Sequence, residues 1–266
     1  MIDLRSISKN IPKRPIIVIY GPSGIGKSTF GASAPDPIFI LTEDGLGDIE
    51  VPAIPQDENG KPRKAKSFDE VLDCLADIST QDHSFKTVVI DSLDWLEPLV
   101  WEATCKRLKA DSIEELGYGR GYVETMTEWK NFFDAVTYLR DFRNMNVILI
   151  AHSAIVKIED PSHPAYDKST LKLHKKAAAK VEEFADIIGF CSLRTIVTTE
   201  KEGFGNTRNR AVSTGERVIN ISPDAAFVAK KRYRGIPNTV PLDWEEVEKY
   251  LPCNENKNKQ TNEGEN

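Results

Sequence analysis

The chain has 266 residues, 40% of them hydrophobic and 29% charged, with a formal net charge of -6. That length buries a full α/β core as one domain with appendages, and the acidic balance excludes coating of nucleic acid by bulk attraction while leaving room for a local basic groove. No apolar run reaches the roughly 18 residues of a membrane span, and Met1-Ile-Asp-Leu-Arg5 lacks the apolar stretch of a secretory signal, so a cytoplasmic protein with no membrane partner is expected.

Residues 1–14 are polar, end in Pro12-Lys-Arg-Pro15 and are expected to form an N-terminal arm before a core over 15–222. Ile16 to Tyr20 is a continuous β-branched apolar run, the pattern of a parallel strand buried on both faces. It leads into Gly21-Pro-Ser-Gly-Ile-Gly-Lys-Ser28 and then a helix-compatible stretch, Thr29 to Ala34. The spacing is G-x-x-x-x-G-K-S/T, and each position has a chemical reason. Glycines let the backbone fold around a phosphate, so that amides from Gly24 to Ser28 face its oxygens and a helix N-terminus adds positive potential. Lys27 reaches the β- and γ-phosphates and Ser28 holds Mg²⁺ in such a loop. ATP and Mg²⁺ are therefore the expected cofactors, held by Gly21, Ser23, Gly24, Ile25, Gly26, Lys27, Ser28 and Thr29. The alternative is a Gly-rich turn with no ligand.

Pro37 to Leu41, Thr87 to Ile90 and Asn146 to Ala151 repeat the buried-strand pattern. Ser67-Phe-Asp-Glu70 is a capping box, followed by Val71, Leu72, Leu75 and Ile78 at helical spacing. A longer helix is predicted from Val123 to Arg143, with Val123, Met126, Trp129, Phe133, Val136 and Leu139 on a core-facing stripe. Ser153 to Lys176 is polar, interrupted by Pro161 and Pro164, and is read as a long functional loop. A helix from Lys175 to Ile188 follows, overlapping an apolar stretch from Ile187 to Thr198. A Gly-rich hairpin candidate, Glu200 to Asn209, and a strand from Val212 to Ile221 come next. Residues 223–252 read as a basic segment with a short helix, and 253–266 as a disordered polar tail.

Strands alternating with helices imply a mainly parallel sheet whose ligands sit at the strands' carboxyl ends. Glu43, Asp91 and His152 all fall at such ends. Asp91 suits Mg²⁺ held across from Ser28, although an acid there also serves as a helix cap. Glu43 suits the orientation of an attacking water, against a solvated loop acid. His152 suits a sensor of the γ-phosphate that reports to the segment behind it, against a structural histidine. Cys74, Cys105, Cys191 and Cys253 form no C-x-x-C pair, and His152, His163 and His174 lack the close pairing of a metal site. Basic residues concentrate at Lys172, Lys175, Lys176 and Lys180, at Arg208 and Arg210, and at Lys230, Lys231, Arg232 and Arg234. Within the first of these clusters, Lys-Lys-Ala-Ala-Ala-Lys is also simply a good helix face.

These motifs in order resemble the RecA-type ATPases, and more narrowly the phage-encoded RecA-like P-loop proteins of the Sak-four type, associated with single-strand annealing and recombination. The narrower resemblance rests on residues 21–29, 39–46 and 88–97, and on 117–122, 147–153, 173–179 and 229–233, spanning about 15–250. It implies a RecA-like P-loop fold, an α/β core whose mainly parallel sheet is flanked by helices. Glu43 then falls at the catalytic glutamate, Asp91 at the Mg²⁺-associated aspartate, and His152 where a polar sensor, more often Gln, ends a strand. Segments 117–122 and 153–176 fall where such proteins carry DNA-contacting loops. Arg120, Lys172, Lys175 and Lys176 would grip phosphates and Tyr118 and Tyr122 would stack on bases. Lys230, Arg232 or Arg234 would act across a subunit interface on the neighbour's γ-phosphate, in a filament or ring, against a surface patch or a DNA contact as the alternatives.

The function implied is an ATP-hydrolysing, single-stranded-DNA-binding protein of recombination or annealing, stimulated by DNA. A nucleotide-switched annealing protein without turnover and a small-molecule P-loop kinase are the alternatives, the latter disfavoured because no lid region stands apart from the DNA loop. These motifs are compatible with strand exchange or annealing, with DNA or RNA, and with a single-strand-binding protein as a partner.

Overall fold

In the computed structural model, six consecutive buried residues form β1 (Ile16–Gly21). Ile16, Val18 and Tyr20 enter one core and Ile17 and Ile19 the other, as the two-residue period of a strand requires. The structure describes residues 12–161, 164–202 and 206–252. Most of the expected arm, the tail, His163, Cys253 and the side chains of Arg208 and Arg210 lie outside the described residues.

After β1 come α1 (Lys27–Ala32), β2 (Pro37–Leu41), β3 (Ala53–Ile54), α2 (Phe68–Thr80), β4 (Thr87–Asp91) and α3 (Leu93–Leu108). The chain continues through α4 (Arg120–Glu124), α5 (Met126–Phe142), β5 (Asn146–Ile158), β6 (Tyr166–Leu171) and α6 (Lys175–Phe184). It closes with β7 (Ile187–Glu202), β8 (Asn206–Asn220), β9 (Lys230–Lys231), β10 (Thr239–Pro241) and α7 (Trp244–Glu248). Eight strands lie side by side in the order β10-β8-β7-β1-β5-β4-β2-β3, with β6 paired to β5 and β9 to β7 off this path. From β7 through β3 the neighbours run parallel, while β8 and β10 extend one edge antiparallel. This is the α/β architecture, a mainly parallel sheet flanked by helices, that the strand and helix alternation implies.

Each face of the sheet is covered by what its sequence pattern predicts. Phe68, Val71, Leu75 and Ile78 of α2 and Trp129, Phe133, Val136 and Leu139 of α5 fill the first core. Ser67 caps α2 through its hydroxyl, which accepts from Glu70 N–H at 3.1 Å. The second core receives Phe30 of α1 and Trp244 and Val247 of α7, with the Phe30 and Trp244 rings 5.9 Å apart. Segment 223–252 thus contributes β9, β10 and α7 to the same sheet and core.

Three elements differ from expectation. The helix predicted from Val123 is two helices meeting at Thr125, whose hydroxyl donates back to the Tyr122 carbonyl at 3.0 Å. Val123 is consequently 50% exposed and off the core stripe. The polar segment after His152 is a hairpin: β5 runs on to Ile158 and β6 returns antiparallel, with Ser153 opposite Leu171 and Ile158 opposite Tyr166. Pro161 and Pro164 sit between those strands, where a missing N–H costs no ladder bond. Finally, α6 stops at Phe184 rather than Ile188. Ile187 instead pairs with Ile17 of β1, and the Asp186 carboxylate accepts from Ile16 N–H at 2.9 Å.

Candidate nucleotide site and its neighbouring basic surface

The turn between β1 and α1 depends on its glycines. Gly24 and Gly26 have φ of 75° and 105°, the left-handed region that glycine enters without a steric penalty. A Cβ on Gly21 would lie 2.5 Å from the Cys191 carbonyl oxygen of β7, so the strand can end against its neighbour only as glycine. Lys27 is 6% exposed and its Nζ donates to the carbonyls of Gly21 and Pro22, at 3.1 and 3.0 Å. Burial lowers its pKa, opposed by nearby Cys191, Asp91, Asp94 and Glu43.

Beside this turn lies a cleft of about 380 Å³. Its walls include Ser23, Gly24, Gly26, Lys27, Ser28 and Thr29, together with Glu43 just past β2, Asp91 at the end of β4 and His152. His152 does not end its strand as expected but lies within β5, at its last pairing with β1, because β5 runs on into the hairpin with β6. Ile25 is buried beneath the turn in the second core, and Gly21 lies at the end of β1. Asp91 is not a helix cap. Its Oδ2 accepts from the Ser28 hydroxyl at 2.6 Å, and α3 starts at Ser92 with no side-chain cap. Burial pushes the Asp91 carboxyl up to about 6, with the Ser28 bond and Lys27 opposing and Glu43 reinforcing. A hydroxyl and a carboxylate across a phosphate loop are oxygen donors suited to a hard divalent cation, so this pair fits Mg²⁺.

His152 is held by α3. Asp94 accepts both its backbone N–H and its ring Nδ1, each at 2.9 Å. One turn along the same helix, both Glu97 oxygens lie 3.0 Å from the backbone N–H of His174, the residue that caps α6. Glu97 is buried, and burial pushes its carboxyl up to about 7. The two acids therefore tie the middle of β5, where it leaves β1, and the start of α6 to one helix that begins beside Asp91. Sequence reasoning missed both, although acids three apart after Asp91 share one helix face and carry that signal.

The start of α6 faces α4 across a second concavity of about 610 Å³. Arg120, Tyr122, Lys175 and Lys176 all line it, so two segments distant in sequence meet as one basic and aromatic surface. Lys172 is not among its walls. It is exposed on the return from β6, with its N–H bonded to the His152 carbonyl at 2.9 Å. Tyr122 is also not a free platform: its ring stacks on His174 at 4.0 Å and meets Trp101 edge-on at 5.5 Å. The fully exposed ring is Tyr118.

The basic cluster after β8 divides sharply. Lys230 Nζ donates to the Glu182 and Glu183 carbonyls, at 2.6 and 2.9 Å, and Arg232 pairs with Asp186 at 2.7 Å. Both are committed within the chain. Arg234 is exposed and has no ion pair among the described residues. A further cation that no sequence motif marks, Arg217 of β8, lines the nucleotide cleft.

A glycine-rich turn between the central strand and its helix, with a lysine and serine inside it and an acid at the end of β4, defines a P-loop nucleotide-binding protein. A sequence-family profile described as an AAA domain, AAA_24, matches residues 13–233, and the chain belongs to that family. Among solved structures, the RadB recombinase is similar to it at 14% identity and a TM-score of 0.45, over 86% of this chain and 87% of that one. No curated protein matches the sequence. No helix among the described residues is long and apolar enough to cross a membrane.

Proposed function

We propose that this protein binds ATP with Mg²⁺, hydrolyses it, and couples that cycle to single-stranded DNA in recombination or annealing, as a cytoplasmic homo-oligomer of the Sak-four type. The observation that carries the reading is the convergence on one cleft of Lys27, Ser28, Glu43, Asp91 and His152, with α3 linking that cleft to the basic concavity.

The turn amides and Lys27 bind the phosphates, Lys27 exchanging its two carbonyl partners for phosphate oxygens. Ser28 and Asp91 would hold Mg²⁺, which when bound neutralises charge on the phosphate oxygens. Glu43 accepts a proton from water as its oxygen bonds the γ-phosphorus; the bond to the bridging oxygen breaks and its electron pair leaves with ADP. His152 registers the γ-phosphate, and the α3 acids pass its position to α6. In the oligomer Arg234, which is exposed and makes no ion pair among the described residues, acts on a neighbour's site. At the concavity, Lys175, Lys176 and Arg120 hold the DNA backbone and Tyr118 stacks on a base.

The test is ATP turnover by the purified protein at low salt, with and without a long single-stranded DNA, against Lys27→Ala. Stimulation by DNA that disappears in the variant is the expected result. ATP binding with flat turnover on every nucleic acid would refute the motor and favour the nucleotide-switch alternative.

A further inference from the structure

We infer that Arg217 is a cis-acting phosphate ligand at the nucleoside side of the nucleotide cleft, engaging the α- and β-phosphates rather than the γ-phosphate. The inference rests on the reading of that cleft as an ATP site.

The sheet order places the phosphate turn, at the end of β1, between two flanks. On one side, β5, β4 and β2 deliver His152, Asp91 and Glu43, the groups that suit the γ-phosphate and the attacking water. On the other side lie β7 and then β8, which carries Arg217. A cation on that second flank faces the part of the nucleotide that leads away from the reacting phosphorus.

Its side chain lies against the turn itself. A Cβ on Gly26 would come 3.1 Å from Arg217 Nη1 and 3.6 Å from its Cδ, so the stem and the fork both run over the last glycine before Lys27. Leu242 packs on the same spot, with Cδ2 3.5 Å from that Cβ position. The Leu242 N–H donates to the Arg217 carbonyl at 3.0 Å, which fixes the arginine's backbone to the segment entering α7. The adjacent acid is taken: Glu216 pairs with Arg194 at 3.0 Å. Arg217 itself is exposed, with no ion pair among the described residues. A guanidinium held at its base, free at its tip and set beside phosphate-facing amides presents the fork that grips phosphate oxygens in pairs.

The position distinguishes this role from that of a finger acting on the leaving γ-phosphate. A ligand of the α- and β-phosphates supports ADP and ATP alike, whereas a γ-phosphate ligand supports ATP alone. Fluorescent-nucleotide binding with Mg²⁺ should therefore show Arg217→Ala weakened about tenfold for both ADP and ATP, or about 1.4 kcal/mol each. Arg217→Lys should recover part of the loss, because a point charge replaces a fork. Lys130→Ala, an exposed cation on α5 away from the cleft, should bind both nucleotides as the wild type does. Thermal melting of each variant establishes that it is folded. Unchanged affinity for both nucleotides in folded Arg217→Ala would overturn the inference, as would a loss confined to ATP. Failure of the wild type to bind either nucleotide would instead refute the nucleotide site itself, and this role with it.

Discussion

The two concave surfaces at the carboxyl side of the sheet are built in opposite ways. In the nucleotide cleft, Lys27 and Asp91 are buried and already engaged, Lys27 by two carbonyls and Asp91 by Ser28. In the basic concavity, Lys175, Lys176 and Tyr118 are exposed, and Tyr118 touches solvent over its whole surface. Groups that stabilise a developing charge act best when fixed in a dry site before reaction. Groups that track a flexible strand need exposed cations and open ring faces. Under the proposed function the first surface does the chemistry and the second the gripping, and α3 bonds to a residue of each, His152 and His174.

Breaking the first surface should have the larger effect. Glu43→Gln is expected to lower ATP turnover by about 10²–10⁴-fold while retaining nucleotide binding, since it removes a proton acceptor and keeps the shape. Steady-state hydrolysis alongside fluorescent-nucleotide binding reads both quantities. A variant that hydrolyses ATP at the wild-type rate would remove Glu43 from the chemistry.

At the second surface the effects are smaller and depend on salt. Tyr118→Ala should weaken single-stranded DNA binding about tenfold, within the ~1–3 kcal/mol of one stacked base. Replacing Lys175 and Lys176 with alanine should flatten the plot of log affinity against log salt by about 0.7 for each phosphate no longer neutralised. Fluorescence anisotropy across a salt series separates the two, because loss of a stacking ring shifts the line and loss of a cation changes its slope. If Tyr118→Ala binds like wild type, the single strand does not stack on the turn that precedes α4.

The same contrast explains why one surface is legible in the amino-acid sequence and the other is not. The phosphate turn is local: its glycines, lysine and serine fall within eight residues, and Glu43, Asp91 and His152 each follow an unbroken apolar run. The basic surface is not local, and sequence alone cannot say which cations are spent inside the chain. Lys230 and Arg232 read the same as Arg234 until Glu182, Glu183 and Asp186 are seen to engage them. The β5–β6 hairpin escapes detection because its strands are polar and flank two prolines, leaving only weak two-residue alternation. Arg217 escapes because its neighbour, Gly26, belongs to a turn at the other end of the chain. Pro98 and the missing side-chain cap blur α3, and with it the acid pair that joins the two sites.

That acid pair supports the smallest and most specific prediction. Burial raises the Glu97 carboxyl from its ordinary 4.5 to about 7, with the His174 N–H pulling the other way. Below about 4.5 the group is protonated in both the folded and unfolded chain and adds no slope. Between 4.5 and about 7 the folded chain keeps a proton that the unfolded chain has released, so stability falls as pH rises through this window. Asp91, raised from 3.8 to about 6 chiefly by burial, contributes in the same direction over a lower window. Glu97→Gln keeps an acceptor for the His174 N–H and removes the titration, so its melting temperature should fall less than the wild type's between pH 5 and pH 7.5, with the Asp91 part of the slope remaining. Melting curves at matched ionic strength decide it. Identical slopes would mean that Glu97 is charged in the folded chain at pH 5, and α3 would then hold α6 through a carboxylate rather than through a neutral acid poised to ionise.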